Sequence, residues 1–349
     1  MSEFKINGRA IGHQYPTYII AEVSANHNQD FDQAVKIVEA AADAGVDAIK
    51  LQTYTPDTIT IDSDKEYFQI KGTIWEGRTL YDLYGDAYTP WDWQPKLKKV
   101  ANDLGLDLFS TPFDPTAVDF LDEMGVPAFK VASFENIDIP LLKKIASKGK
   151  PIIMSSGMAS LAELTEAVQA IRDSGNDQLA LLKAVSAYPA LPEEMNLRTI
   201  PHLAQAFDVV AGLSDHTLGI AVPVAAVALG ARLIEKHIIL SRDVKGPDSE
   251  FSLEPHEFKA MVDAVRVTEK ALGEVTYQTT QKETDSKVFR RSLFVVQDVK
   301  AGEKFTPENV RSIRPGNGLP PKYYEMVIGR TATHDIERGT PLSWDNIGN

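Results

Sequence analysis

The chain contains no cysteine, which removes disulfides, thiolate nucleophiles, iron–sulfur clusters and Cys-ligated zinc from consideration. That absence fixes no compartment, since a reducing cytosol neither requires nor forbids it. Positive charge is scarce. The 36 basic and 49 acidic residues leave a formal charge of −13 at pH 7, which argues against nucleic acid or an anionic membrane as a partner, although single sites can still be cationic. No stretch approaches the apolar run of about 20 residues that spans a bilayer. The opening MSEFKINGRAIGHQYP lacks the basic-then-apolar order of a secretory leader. A soluble cytoplasmic protein is therefore expected. Histidine is also sparse, seven in 349 residues, so where each one falls carries information.

Hydrophobic residues make up 43% of the chain, enough for a large core, and the length suggests one large domain with a smaller partner. Eight short segments with apolar, non-alternating centres recur: 18–23, 48–52, 106–111, 128–133, 151–156, 179–185, 209–214 and 232–238. Continuous apolarity of this kind marks strands covered on both faces. Helical periods lie between them. FDQAVKIVEAAADAG spaces Phe31, Val35, Val38 and Ala42 by three and four and stops at Gly45; SLAELTEAVQAIRDSG opens with Ser160 and Glu163 in capping-box spacing and ends at Gly175. Eight strand–helix units in about 250 residues predict a closed (β/α)8 TIM barrel over residues 1–273. The connection from Tyr54 to Pro95 is longer than the others and rich in aromatics and glycine, so it reads as an ordered loop or lid at the barrel mouth. A polar linker is expected over 274–289, then a small β-rich module over 290–349 with a turn at Ala301 and Gly302.

Barrel enzymes work at the C-terminal ends of their strands. The predicted ends supply Glu22, Lys50, Gln52, Ser110, Thr111, Lys130, Ser133, Ser155, Ser156, Lys183 and Ser186, then Ser214-Asp215-His216 and Glu235-Lys236-His237. Lys50, Lys130 and Lys183 directly follow apolar strand residues and are expected to point into the mouth. There an unpaired ammonium is costly, so it is met either by a bound phosphate or carboxylate or by internal salt bridges to Glu22, Glu135 or Glu235. Ser155, Ser156 and Gly157 add hydroxyl and backbone donors before the Ser160-capped helix. His216 and His237, on adjacent strands, permit two imidazoles to reach one divalent ion. With no thiolates and many oxygen donors nearby, Mn²⁺ or Mg²⁺ suits that pair at least as well as Zn²⁺. His27 is either a turn residue or a substrate contact, and Trp75, Trp91 and Trp93 either pack the long loop or cover a sugar ring.

Several segments together resemble the sialic acid synthase family along essentially the whole chain: IIAEVSANHNQDFDQAVKIVEAAADAGVDAIKLQTY, LFSTPFD, FKVASFE, PIIMSSGM, GLSDHTLG, VALGARLIEKH, GPDSEFSLEP and RPGNGLPP. The resemblance implies a barrel followed by an antifreeze-like (SAF) domain, and condensation of phosphoenolpyruvate with an N-acylated hexose to give a nine-carbon ulosonic acid. The long insertion resembles the pseudaminic acid branch, which implies 2,4-diacetamido-2,4,6-trideoxy-β-L-altropyranose as acceptor; neuraminate or legionaminate synthesis is the alternative. Carried over, the resemblance implies phosphoenolpyruvate contacts at Lys50, Thr111, Lys130, Ser133, Ser186 and Ser214, metal ligation by His216 and His237, and a central acid at Glu22. It further implies acceptor contacts at Glu135, Tyr188 and Asp248, with Mn²⁺ as the metal and Mg²⁺ or Co²⁺ as alternatives. It also implies a domain-swapped homodimer in which Arg314 reaches the partner's active site. The chain departs from the family at LLKAVSAYP, where sialic acid synthases resemble HCTNIYP: Lys183 stands at the histidine position and Ser186 at the asparagine position. Two rivals come from the residues alone. One is an aldolase forming a Schiff base on Lys130 or Lys183, and the other is a non-catalytic barrel with a glycan-binding tail.

Overall fold

A computed structural model describes residues 3–72 and 75–349. Two compact units divide the chain, Met1–Gly273 and Glu274–Asn349.

The first unit begins with an antiparallel hairpin of β1 (Glu3–Ile6) and β2 (Arg9–Gly12) that the strand–helix pattern did not predict. Its turn is Asn7-Gly8, both at positive φ (47° and 81°), the combination that two-residue hairpin loops favour. Phe4, Ile6 and Ile11 are buried. Arg9 pairs with Asp47 and Asn7 bonds Asp107, so the hairpin sits where the second and third barrel strands begin, at the end of the barrel opposite the mouth.

The barrel strands are β3 (Tyr18–Glu22), β4 (Ala48–Thr53), β5 (Asp107–Pro112), β6 (Phe129–Val131), β7 (Ile152–Ser155), β8 (Leu179–Ala184), β9 (Val210–Asp215) and β10 (Leu233–His237). All pair in parallel, in chain order, and β10 closes on β3. The (β/α)8 TIM barrel is thus the fold. Helix α1 (Phe31–Ala44) follows β3, and its N-cap Asp30 accepts from Gln33 N. The glycine stop is real, with Gly45 at φ 85°. The fully buried face of α1 is Ala34, Ile37, Val38, Ala41 and Ala44; of the predicted stripe Val38 lies on it, while Phe31, Val35 and Ala42 pack partly buried along its edge. Small alanines let the helix approach the sheet, while Phe31 turns aside to meet Trp93. The connection after β4 carries α2 (Pro56–Ile59), α3 (Leu80–Ala87) and α4 (Gln94–Asp103). The remaining layer is α5 (Pro115–Glu123), α6 (Ile139–Ala146), α7 (Leu161–Asp173), α8 (Thr199–Phe207), α9 (Ala221–Ala228) and α10 (Pro255–Leu272). Helix α7 has the predicted Ser160–Glu163 capping box.

Paired residues in neighbouring parallel strands share a face, and successive residues alternate faces. The register therefore sorts the strand ends. Glu22 pairs with Lys50 and His237, Gln52 with Thr111, Lys130 with Ile153, Ala184 with Ser214, and Ser214 with Glu235. These form the inner rows. Lys183 pairs with Leu213, and Asp215 with Lys236, on the outer rows.

The second unit has its own core, including Leu293, Val295, Phe305, Val310 and Val327. Strands β11 (Ser292–Val295) and β12 (Val310–Ile313) pair antiparallel, with a further short helix α12 (Tyr324–Val327). Ala301 and Gly302 form the predicted turn. The stretch read as a linker contains a six-residue helix, α11 (Gln281–Ser286), started by a Thr280–Glu283 capping box. Gly318 lies so close to β11 that a Cβ there would stand 2.3 Å from Leu293 O.

Candidate active site

Two ammonium groups and two carboxylates lie at the bottom of the mouth. Lys50 Nζ is 3.0 Å from Glu22 Oε2 and 3.1 Å from Glu235 Oε1. Lys130 Nζ donates to Ser155 Oγ at 2.7 Å and Val131 O at 3.1 Å, with Glu235 Oε1 at 3.6 Å. Ser214 Oγ donates to Glu235 Oε1 at 2.9 Å. All four ionisable side chains are buried. Desolvation pushes Glu22 up to about 7 against the opposing pull of Lys50. Burial would raise Glu235 as well, but the ammonium groups of Lys130 and Lys50 hold it below the ordinary carboxylate range. Burial lowers Lys130 to about 8, with Glu235 opposing. Burial also acts to lower Lys50, but Glu22 and Glu235 outweigh it and raise its pKa. The two ammonium groups thus face one carboxylate held ionised, Glu235, and one that burial shifts toward its protonated form, Glu22, and a small anion can complete their pairing.

The salt-bridge reading and the ligand reading of the lysines thus meet at Lys50 and Lys130. Lys183 behaves differently. Its outer-row register turns it away from the barrel interior, and Nζ donates to the Ala184 carbonyl at 3.0 Å. The expectation that all three lysines enter the mouth is corrected by that register.

Above the cluster stand His216 and His237, with ring centroids 5.5 Å apart. His216 Nδ1 is 2.8 Å from Val185 O. A carbonyl only accepts, so Nδ1 carries the proton and Nε2 keeps the lone pair. His237 Nδ1 is buried without a hydrogen-bond partner, 3.9 Å from Asp248 Oδ2. Burial lowers His216 to about 4 and His237 well below the ordinary imidazole value, so both rings are neutral donors at pH 7. Asp248 accepts from Ser24 Oγ and from Ala25 N, and burial raises its carboxyl despite those bonds. Among the described residues no three His, Asp or Glu side chains form a metal cluster. The pair therefore offers two protein nitrogens, which suits an ion that takes its other ligands from oxygen donors.

Further polar groups ring the same mouth. Thr111 Oγ1, Glu135 Oε2, Ser186 Oγ and Glu235 Oε2 are buried without hydrogen-bond partners, an arrangement that native interiors seldom leave unmet. A Cβ at Gly157 would lie 2.5 Å from both Ser133 Oγ and Ser186 Oγ. That glycine lets the turn after β7 run against two hydroxyls. Asn136 fixes the turn by donating to Ser155 O and Gly157 O at 3.2 and 3.1 Å. Desolvation raises Glu135 to about 7, against Lys130.

An aromatic wall flanks the histidines. Tyr188 lies 4.5 Å from His216 and 5.1 Å from Phe251, which is 4.9 Å from His237. Trp75, from the long insertion, reaches Tyr188 at 5.9 Å and donates its indole N–H to Pro247 O at 3.2 Å. The other two tryptophans pack the insertion: Trp91 bonds Tyr54 O and meets Phe120, while Trp93 meets His27 and Phe31. His27 is a turn residue, fully buried between Gln29 N and Thr89 Oγ1.

The structure thus gathers Glu22, Lys50, Thr111, Lys130, Ser133, Glu135, Ser186, Tyr188, Ser214, His216, His237 and Asp248 around one mouth. Arg314 belongs to the second unit, exposed just after β12. Sequence reasoning placed Gln52 and Glu235 at the strand ends, with Glu235 as a salt-bridge partner for the lysines, but gave neither a role toward substrate, and it did not single out Phe251. Glu235 sits two residues before His237 on one strand, and that spacing was the available signal. Gln52 Nε2 donates to Glu22 Oε1 and Ser24 Oγ at 3.1 and 3.0 Å.

The model described as the NeuB family matches residues 37–277, and the SAF domain model matches 290–348. The chain is 47% identical over 325 residues to the pseudaminic acid synthase of Campylobacter jejuni subsp. jejuni serotype O:23/36 (strain 81-176), covering 93% of this chain and 95% of that one. It is 43% identical over 333 residues to the pseudaminic acid synthase of Helicobacter pylori, covering 95% and 98%. The crystal structure of the spore coat polysaccharide biosynthesis protein SpsE from Bacillus subtilis aligns with a TM-score of 0.68 at 35% identity, covering 100% of this chain and 99% of that one.

Proposed function

The chain belongs to the NeuB family, and from that premise we propose that it is an enzyme that works as a pseudaminic acid synthase. It condenses phosphoenolpyruvate with 2,4-diacetamido-2,4,6-trideoxy-β-L-altropyranose, consumes water and releases phosphate. The observation that carries this reading is the buried Lys50–Lys130 ammonium pair beneath two neutral imidazoles, beside the buried hydroxyls of Thr111 and Ser186 that have no hydrogen-bond partner.

Lys50 and Lys130 balance the carboxylate and phosphate of phosphoenolpyruvate, while Thr111, Ser133 and Ser186 supply hydroxyl donors that fix its face, and Ser214, its proton given to Glu235, lines the pocket beside them. His216 and His237 would hold a divalent ion, Mn²⁺ with Mg²⁺ or Co²⁺ as alternatives. When bound, that ion supplies Lewis acidity for the aldehyde of the open-chain acceptor. Carbon–carbon bond formation joins C3 of phosphoenolpyruvate to the aldehyde carbon and leaves positive charge at C2. Water adds there, and phosphate departs by C–O cleavage. Glu22, poised near neutral pH, accepts the proton of the incoming water and returns one to the new alkoxide. Glu135, Tyr188 and Asp248 orient the acceptor.

A homodimer in which Arg314 of one chain reaches the other chain's mouth completes the reading, with the 290–349 module as the docking element. The setting is cytoplasmic, without nucleic acid or membrane as partner. Among the described residues no helix is long and apolar enough to cross a membrane.

A mass-spectrometric panel tests the proposal: purified protein, phosphoenolpyruvate, several divalent ions, and candidate acceptors including the altrose derivative and N-acetylmannosamine. Condensation with the altrose derivative and release of phosphate are expected. Preference for a mannose-type acceptor moves the reading to neuraminate or legionaminate synthesis. The lowered pKa of Lys130 keeps one rival in play, a Schiff-base aldolase, and borohydride trapping of pyruvate on that lysine would replace the synthase reading.

A further inference from the structure

Asp215 and Lys236 each stand one residue before a histidine of the pair, and they oppose each other directly in the β9–β10 register. Strand alternation turns both away from the barrel interior. Both side chains are fully enclosed, with Lys236 Nζ 2.5 Å from Asp215 Oδ2. The ammonium also donates to Thr217 O at 2.6 Å. Asp215 Oδ1 accepts from Thr217 N at 3.0 Å and from Thr217 Oγ1 at 2.9 Å. The residues on both sides of His216 are thereby fastened to the residue before His237.

The position of this fastening matters because the β9–β10 ladder ends at the same pair. His216 lies beyond the ladder. Its carbonyl accepts from Ala190 N at 3.1 Å and its ring bonds Val185 O, both on the β8 side. The tie that runs from its segment toward β10 is the Asp215–Lys236–Thr217 network. An enclosed ion pair is a weak source of net stability, because desolvation offsets most of its Coulomb attraction. Its placement, one residue from each imidazole, gives it a different use.

We propose that Asp215 and Lys236 are positioning residues, a clamp behind the barrel wall that sets the spacing of the His216 and His237 rings and hence metal affinity, without touching ion or substrate. The inference rests on the reading of the two histidines as metal ligands, and its test measures metal binding without turnover.

The full-length protein is titrated with Mn²⁺ alone, following free ion by electron paramagnetic resonance. Phosphoenolpyruvate binding and thermal unfolding are measured in parallel. The double variant Asp215→Asn/Lys236→Met removes both charges together and so leaves no lone enclosed ion. We expect its Mn²⁺ dissociation constant to rise about 10–100-fold, the usual scale for losing an outer-shell partner, while phosphoenolpyruvate affinity stays within about threefold and unfolding remains cooperative. Thr217→Val keeps shape and charge but removes one bond to Asp215; it should weaken Mn²⁺ binding by a few-fold, and it decides the matter if the double variant does not fold. Unchanged Mn²⁺ affinity in the folded variant overturns the clamp. So does a parallel loss of metal binding, phosphoenolpyruvate binding and cooperativity, which would mark a purely architectural pair. A wild-type protein that binds no divalent ion overturns the ligand reading itself, and the clamp with it.

Discussion

His237 carries a buried ring nitrogen with no hydrogen-bond partner, and Glu135 carries a carboxyl oxygen in the same state. The two make different predictions. His237→Ala should lower turnover by on the order of 10²-fold or more, the scale for losing one electrostatic stabiliser, while phosphoenolpyruvate affinity changes little; single-turnover kinetics beside calorimetry separates the two. Glu135 is raised from 4.5 to about 7 by burial. It therefore binds its proton more tightly folded than unfolded, and the associated stability is present in full below about 4.5 and lost as pH rises through about 7. Relative to wild type, Glu135→Gln should gain stability progressively across that window and level off above it, by on the order of 1–3 kcal/mol. Unfolding curves at several pH values check this, and a flat difference would mean an ordinary carboxyl. Strand-end position was enough to find Lys50, Lys130 and Glu22 in the sequence. It misjudged Lys183, because which face a residue occupies depends on the pairing register, and a sequence does not display register.

At the scale of elements, the eight barrel strands were legible because a strand covered on both faces must be apolar throughout its centre. The N-terminal hairpin escaped notice although Asn7-Gly8 signals it, since it lies outside the repeating strand–helix unit. The face of α1 was placed slightly to one side, on Val38 and its partly buried neighbours, because three of its five fully buried residues are alanines, which periodicity scales weigh lightly. Two predictions belong here. A methyl group at Gly157 would collide with the hydroxyls of Ser133 and Ser186, so Gly157→Ala should raise the KM for phosphoenolpyruvate about 10-fold or more, since displacements near 1 Å at a reacting centre are costly. Thermal unfolding should change far less. The insertion brings Trp75 to Tyr188, and Trp75→Ala should raise the KM of the acceptor sugar about 2- to 10-fold, the weight of one aromatic contact. Steady-state kinetics varying each substrate in turn would show whether the effect falls on the acceptor alone.

For the whole molecule, the relation between the two units is a question of assembly. If Arg314 serves a neighbouring chain's mouth, Arg314→Ala and His237→Ala each disable the enzyme for different reasons. Mixed dimers of the two should regain one intact site, about a quarter of wild-type activity after random exchange of equal amounts. No recovery on mixing, with exchange verified by mass spectrometry, would place Arg314 outside the partner's site. Sequence divided the chain into barrel, linker and tail by changes in pattern, but a pattern has no means of revealing which copy of a chain a surface residue serves.

The inner and outer rows of β9 and β10 have one more consequence. Deleting a single residue within β10 would turn the Lys236 ammonium toward the substrates and drive Glu235 and His237 into the oily layer under the helices, exchanging a catalytic surface for its reverse side. Loops of this protein can therefore lengthen or shorten freely by comparison, whereas its strands tolerate change only in steps of two.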